Sequence, residues 1–423
     1  MEKVNFNYSM KNIPIPPKQD YQIQFIKSVE TFVKNIRWRS FFFLNPNDTP
    51  NRRETFGFNT TSPAPHVDEL KELENELFEL TKNIKFKDVK DNNFQNDLKA
   101  DVKNVEKVKE LILAADKTNN FYKVKKEDHD VLLQKHITKD YKKAQEGAFE
   151  NNTKADKRIA TKLELQDRIY KTSKKQAFIT LKDHKPSFNN NPTCRLLNPT
   201  KPELGKVSKH ILANIVKVVN EKTKSNLWRN TQSVISWFKE IDMKKRSTFI
   251  QFDVIEFYPS ITAELLVKAL NFASGFVDIS DEDRDIIFQA RKSFLLDSNI
   301  PWVKKTNANF DVGMGCYDGA ECCELVGLYL LSLLKHLKVI LGLYRDDGLG
   351  VSHLTPRQTE LVKQDIIDIF KKEKLSIEIV VNHNVVNFLD VTFDLNSGIY
   401  KPYSKPNNFT QYINKNSNHP LQL

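Results

Sequence analysis

The stretch "HVDELKELENELFELTKNI" spaces Leu70, Leu73, Leu77, Leu80 and Ile84 three or four residues apart. That spacing predicts a helix near 66–85 with one apolar face. The seam lasts only about two heptads, which favours a helix docked on its neighbours over a coiled coil. Residues 1–65 mix Pro, Asn and aromatics without a clear period; within them "IRWRSFFFLNPN" predicts packing of Phe41, Phe42 and Phe43. Residues 100–180 are lysine-rich and read as mainly helical with breaks, with a short strand "FYKV" before a helix that begins near Lys126. In "EGAFENNTKADKRIATKLELQDRI" the Gly and Asn positions read as breaks in a mobile stretch.

From about residue 176 the period shortens. "QAFITLKDHKP" and "TCRLLNP" read as two short strands around the turn "SFNNNP". "ELGKVSKHILANIVKVVNEKT" and "NTQSVISWFKEI" read as helices. "STFIQFDVIEFYPSI" is a β-rich run into Asp253 that stops at Pro259, and Thr262 starts the helix "TAELLVKALNFAS". A mixed helix at about 281–294 and a long apolar helix through about 337 come next. "KVILGLYRDDGLGVSH" then reads as strand, turn, strand. "TPRQTELVKQDIIDIFKKEK" begins a helix at Thr-Pro and places Leu361, Val362, Ile366, Ile369 and Phe370 on one face; "SIEIVVN" closes the series as a strand. The order strand, helix, helix, hairpin, helix, strand describes an α+β split unit similar to the ferredoxin-like arrangement.

A chain of 423 residues has room for two or three domains. Hydrophobic residues at 39% and charged residues at 28% fit a chain that buries a core in water. The net charge of +11 favours a polyanionic partner, with nucleic acid first. The four cysteines, Cys194, Cys316, Cys322 and Cys323, show no zinc-ligand spacing and read as reduced thiols of an intracellular protein. No apolar run reaches the roughly 18 residues of a membrane span, and the N-terminus shows no secretory signal.

The chemistry concentrates on three acids beside apolar β-like runs: Asp253, Asp346 and Asp347. Carboxylates gathered there repel one another unless a cation lies between them. Hard divalent ions take oxygen ligands, and two of them about 3.5–4 Å apart activate an attacking hydroxyl and steady a leaving pyrophosphate. Each acid also has a plain alternative: Asp253 as a strand-end cap, and Asp-Asp-Gly as a hairpin turn.

"FDVIEFYPS" and "YRDD" resemble motifs A and C of the reverse transcriptase palm, and between them "VGMGCYDGAECCELVGL" resembles motif B. "KKEKLSIEI" resembles motif D and "FLDVTFDLNSGIY" the primer-grip hairpin. "ITLKDHKPSFNNNPTCRLLNP" resembles the fingers strands that hold the incoming triphosphate. Together with "AADKTNNFYKV" and the tail "YSKPNNFTQYINKNSNHP", the "KDHKP" turn makes the chain most similar to Penelope-like retroelements, over about residues 112–423.

The resemblance implies a right-hand polymerase with a ferredoxin-like palm, fingers, a partial thumb and a mainly helical N-terminal extension. The implied domains are an N-terminal extension over 1–110, fingers over 111–248, palm over 249–385, and primer grip with the start of a thumb over 386–423. It implies Asp253, Asp346 and Asp347 as ligands of two Mg²⁺ ions, with Mn²⁺ as a substitute. Tyr258 takes the place of the ribose-selecting ring, and Gly315 that of the glycine under the template–nucleotide pair. Lys185 and Arg195 match the triphosphate contacts, with Lys182 competing for the role of Lys185; His184 reads as structural. Lys374 is the motif D lysine that would protonate pyrophosphate, with Lys371 and Lys372 close by. The implied partners are an RNA template, a DNA primer and deoxynucleoside triphosphates, in a nuclear protein with no membrane contact.

Two features depart from the family pattern. Arg345 stands where the family has a small or apolar residue, and Gly313-Met314-Gly315 replaces the usual Pro-Gln before the motif B glycine. With little thumb and no GIY-YIG endonuclease after "SNHP", the rival expectation is a truncated, inactive remnant that binds nucleic acid.

Overall fold

The structure is a computed structural model that describes residues 1–4, 21–46, 63–85, 93–118, 120–166, 169, 175–305, 310–313 and 315–404. Most of the tail "YSKPNNFTQYINKNSNHP" and Met314 therefore lie outside the described residues. The chain forms two compact units, one including Met1–His136 and Ile179–Arg195, the other Ile137–Phe178 and Leu196–Asn408. No described helix is long and apolar enough to cross a membrane.

In the first unit a 24-residue helix, Tyr21–Leu44, occupies sequence that shows no helical period. It packs on the helix Lys71–Asn83. The apolar stripe of that second helix does not form its buried side: Leu73, Leu80 and Ile84 are 40%, 61% and 41% exposed. Glu74 and Thr81 are buried instead. The reason is an ion pair, in which the Arg37 guanidinium grips both carboxylate oxygens of Glu74 and turns that face inward. Of the three adjacent phenylalanines, Phe41 and Phe42 pack beside Trp38, while Phe43 is 84% exposed. Strand Phe121–Val124 is the centre of a three-stranded sheet, between Glu2–Val4 and Leu111–Ala114. A parallel bridge links Ala115 to Leu181 in the hairpin of Phe178–Leu181 and Cys194–Leu197.

In the second unit the stretch read as broken and mobile contains a helix, Ala148–Lys162, because Gly147 takes φ +73° just before it and leaves the helix itself intact. The centre of the unit is built from β1 (Thr248–Val254), α1 (Ala263–Ser274), α2 (Gly319–Leu334), β2 (Ile340–Tyr344), β3 (Asp347–Ser352), α3 (Pro356–Lys372) and β4 (Ile377–His383). The sheet order is β4-β1-β3-β2, all antiparallel, with the two-residue strand Asn226–Leu227 added in parallel on β2. This is the order of a split β-α-β unit and matches the pattern of periods along the sequence. Capping residues start the helices where that pattern places them: Thr262 accepts from the Leu265 N–H, and Thr355 forms a capping box with Gln358.

Period-2 alternation sorts the sheet into two faces. Ile250, Phe252 and Val254 are buried on one of them, where Phe252 meets Phe370 of α3 with ring centroids 5.5 Å apart. Leu361 lies off that contact and is 63% exposed, although its spacing puts it on the apolar stripe of α3. Phe249, Leu349 and Val351 are on the other face, in a cluster with Trp228, Trp237 and Phe238. Strands β5 (Val385–Phe388), β6 (Val391–Asp394) and β7 (Ile399–Pro402) form a separate antiparallel sheet whose Phe388 and Phe393 close that cluster.

Gly348 locks the register of β1 against β3. It stands opposite Phe252, and a Cβ there would lie 2.2 Å from the Phe252 ring. Gly348→Ala is expected to destabilise the protein by about 1–3 kcal/mol, the usual cost of overpacking, as read from the midpoint of urea unfolding.

A second expectation concerns Asp156, which is 1% exposed and accepts from Gln289 Nε2 at 2.7 Å. Burial pushes its carboxyl up to about 6, and the Glu203 charge adds to the rise. The folded state therefore keeps a proton that the unfolded chain has lost between pH ~4 and ~6. The stability linked to that proton is present at low pH and is lost as pH rises through about 6. Asp156→Asn should remove this slope and stabilise the protein at pH 7 by roughly 2 kcal/mol, measured by chemical unfolding across pH.

Candidate functional site

Asp253 is the penultimate residue of β1 and Asp347 the first of β3, and the register sets them directly opposite each other. The Val254 N–H donates to the Asp346 carbonyl at 2.9 Å, so the Asp253–Asp347 pair falls just outside a bonded pair, where side chains approach most closely. Like charges opposite one another in a sheet are unfavourable. A third acid extends the row: Glu378 of β4 stands opposite Asp253 on its other side. Glu378, Asp253 and Asp347 thus point to one face across three neighbouring strands, the face away from Phe252 and α3. Asp253 and Glu378 are exposed, and Asp346 and Asp347 are half-buried.

Glu378 is the acid that sequence reasoning missed. Its only signal is its parity in "SIEIVVN", which acquires meaning once β4 is known to pair with β1.

The turn differs from Asp-Asp-Gly. Tyr344 pairs with Asp347, so the two loop residues are Arg345 and Asp346. Arg345 takes φ +56°, while Asp346 keeps a negative φ. That pattern fits a type II′ hairpin, whose first loop position favours glycine. Arg345 is exposed, with its guanidinium 5.4 Å from the Tyr344 ring centroid.

Tyr258 follows in the single helical turn Phe257–Ser260. It is half-buried, and burial pushes its phenol up; its hydroxyl hydrogen-bonds with Cys323 of α2. A Cβ on Gly319 would sit 3.6 Å from the ring, so the N-terminus of α2 backs the tyrosine. Gly315 has φ +104°, and a Cβ there would meet the Asn198 carbonyl oxygen at 3.0 Å. Asn198 is buried and donates to the Ser293 hydroxyl and the Phe294 carbonyl. The same segment is anchored by Asp318, which accepts from the fully buried Arg291 and from the Ser208 hydroxyl. A buried pair of this kind resists loss of either partner, because the other is left charged in the core.

Lys374, at φ +61° just after α3, pairs with Glu264 at 2.8 Å. Both groups are exposed, and a surface pair of this kind is weak.

The cationic candidates belong to the first unit. Arg195 Nη1 lies 3.1 Å from Asp116 Oδ1. Lys182 and Lys135 are close enough to Cys194 for their charges to oppose the burial that pushes its thiol up to about 11. Burial lowers the His184 pKa, and the charges of Lys117 and Lys185 lower it further. Lys182 and Lys185 belong to one tight turn, in which the Lys185 N–H donates to the Lys182 carbonyl at 3.1 Å.

The donor set at the end of β1 and β3 is all oxygen, which suits a hard divalent cation. Among the described residues, no three His, Cys, Asp or Glu side chains make a ready-made ion cage.

No protein-family model matches the sequence, and no curated protein matches it. Solved structures of similar fold include telomerase from Candida albicans in complex with a fragment of telomeric RNA, with TM-score 0.51 and 10% identity over 96% of this chain and 76% of that chain. Telomerase from Candida tropicalis in complex with a fragment of telomeric RNA is similar at TM-score 0.50 and 12% identity, over 96% of this chain and 69% of that one. At such identity the likeness is one of fold: the chain has a reverse-transcriptase-like polymerase fold.

Replacing Arg345 with glycine should relieve the left-handed backbone. Arg345→Gly is expected to stabilise the protein by about 1 kcal/mol, read as a rise in thermal midpoint.

Proposed function

We propose that the protein is an RNA-directed DNA polymerase of a retrotransposon, most similar to Penelope-like elements. It would act in the nucleus on an RNA template, a DNA primer and deoxynucleoside triphosphates. The observation that carries this reading is the apposition of Asp253 and Asp347 beside the Asp346 turn, at the turn end of the β4-β1-β3-β2 sheet. A polymerase fold and a net charge of +11 agree with it.

In this reading the second unit carries the palm, with β5 to β7 as the primer grip, and the fingers strands are Phe178–Leu181 and Cys194–Leu197. Asp253, Asp346 and Asp347 would hold two Mg²⁺ ions, which would supply activation of the primer 3′-OH and offset charge on the α-phosphate and the leaving pyrophosphate. The protein's own part is positioning and electrostatics. The β1–β3 register fixes the spacing of the carboxylates before any substrate arrives. Tyr258, braced by Gly319 and Cys323, would set a wall against a ribose 2′-OH. Gly315 would lie under the template–nucleotide pair, at a position where φ +104° and the Asn198 carbonyl oxygen, 3.0 Å from a Cβ, disfavour any side chain. Lys185 and Arg195, with Lys182, would bind the triphosphate, and Lys374 would release from Glu264 to protonate pyrophosphate.

Primer extension on an RNA template with Mg²⁺ tests the proposal. The wild type should extend the primer, and Asp346→Ala/Asp347→Ala should lose at least about a hundredfold in rate. Equal incorporation by both would sink the enzymatic reading. Salt-dependent RNA binding with no incorporation by either would favour the inactive remnant. Tyr258→Ala should relax discrimination against ribonucleotides by about tenfold or more, measured as the ratio of kcat/KM values for the two sugars.

A further inference from the structure

Within "AADKTNNFYKV", Asp116, Thr118, Asn120 and Tyr122 are hydrogen-bonded to Leu181 and to Asp183 of the "KDHKP" turn. The Asp116 N–H donates to the Leu181 carbonyl at 2.8 Å. Two residues on, the Thr118 hydroxyl donates to Asp183 Oδ2 at 2.7 Å. Asn120 Nδ2 and the Tyr122 hydroxyl donate to the same oxygen at 2.7 and 3.0 Å. One carboxylate oxygen therefore collects three donors from a five-residue span, and charge-assisted bonds of this kind are the strong ones. Asp116 is held as well, through its carboxylate on Arg195 at 3.1 Å.

Lys117 lies between these two anchors, and it is exposed. Its backbone is fixed on both sides, so its ammonium leaves a defined point on the loop. Lys185 leaves the turn that the loop clasps, and Arg195 leaves the adjoining strand beside Asp116. The charges of Lys117 and Lys185 both reach the His184 ring, as do those of Asp116 and Asp183. The anchors on either side of Lys117, Asp116 on Arg195 and Thr118 on Asp183, place it in the neighbourhood of both Arg195 and the turn that carries Lys185. Three cations against two structural acids leave an excess of positive charge, which an anion can offset. A chain of linked phosphates fits that demand, because it offers several charged oxygens along its length.

We propose that Lys117 is a third triphosphate-binding cation beside Lys185 and Arg195, and that Asp183 is the positioning residue that holds its loop in place. The inference rests on the polymerase reading for its substrate and adds a residue that none of the polymerase motifs contains. Asp116 gives Arg195 a partner in the empty state, so the incoming triphosphate exchanges one anion for another.

The test uses the full chain. Binding of a fluorescent deoxynucleoside triphosphate is measured at equilibrium, and steady-state primer extension is run in parallel. Lys117→Ala should weaken triphosphate binding about tenfold and raise its KM by a similar factor, with kcat within about twofold. Lys117→Arg should restore most of the loss because it keeps the charge. Affinity for a primer–template duplex should not change. Asp183→Ala should raise KM in the same way and leave kcat, a split that a general loss of folded protein would not produce.

If Lys117→Ala leaves triphosphate binding and KM unchanged while Lys185→Ala raises both, the inference is wrong and the polymerase reading stands. If Lys117→Ala weakens duplex binding instead, the lysine serves a phosphodiester backbone and the inference is overturned. If the wild type incorporates nothing, or the Asp346→Ala/Asp347→Ala variant incorporates equally, the polymerase reading fails. The equilibrium binding arm then still decides the role of Lys117.

Discussion

Phe252 lies over Gly348, and that contact fixes which residue of β1 stands opposite which residue of β3. A slip of one residue would send every side chain of a strand to the other face. Asp253 would then turn toward α3, and Phe252 would lose its contact with Phe370. The apposition of Asp253 with Asp347 is thus secured by an apolar fit one residue away, in the core. Glycine is needed there because any side chain would occupy the volume of the ring. The large apolar cluster on the opposite face, with Phe249, Leu349 and Val351, holds the same register from the other side.

On that frame the site gathers groups that cost stability. Three acids share a row across neighbouring strands, Arg345 sits at positive φ, and Gly315 has no room for a side chain. Such features persist only where the surroundings over-determine them. Here the surroundings are concrete. The hairpin pairs from Ile340–Val351 through to Tyr344–Asp347, and the segment after Gly315 is tied by Asp318 to the buried Arg291. The site is stiff because its supports are buried.

The first unit solves a similar problem with hydrogen bonds in place of packing. The loop after Leu111–Ala114 carries little that could enter a core, and the Asp183 carboxylate organises it by accepting from Thr118, Asn120 and Tyr122. The Tyr122 phenol is pushed up to about 12 by burial and by this bond, so it remains a donor at any ordinary pH. The Tyr122 ring also packs edge-on against Phe188, which couples the loop to the far end of the turn.

The alternation in "STFIQFDV" and "DGLGVS", the capping residues Thr262 and Thr355, and the long apolar run of α2 are local signals, and they determined the strands and helices of the central sheet by themselves. The placement of Asp253 at a strand end and of Asp346 in a tight turn was legible for the same reason, whereas the register makes Asp347 the first residue of β3 and not part of the turn. What the sequence could not decide was anything that depends on a distant partner. Tyr21–Leu44 has no helical stripe, and the helix at Lys71–Asn83 buries Glu74 in place of its leucines because Arg37 meets it there. Glu378 joins the row of acids only because β4 pairs with β1. Nothing in the local sequence singles out Lys117, whose loop is held on the turn by Asp183. Periodicity reports which side of an element is apolar. Only tertiary contact decides what that side, or the charged one, is set against.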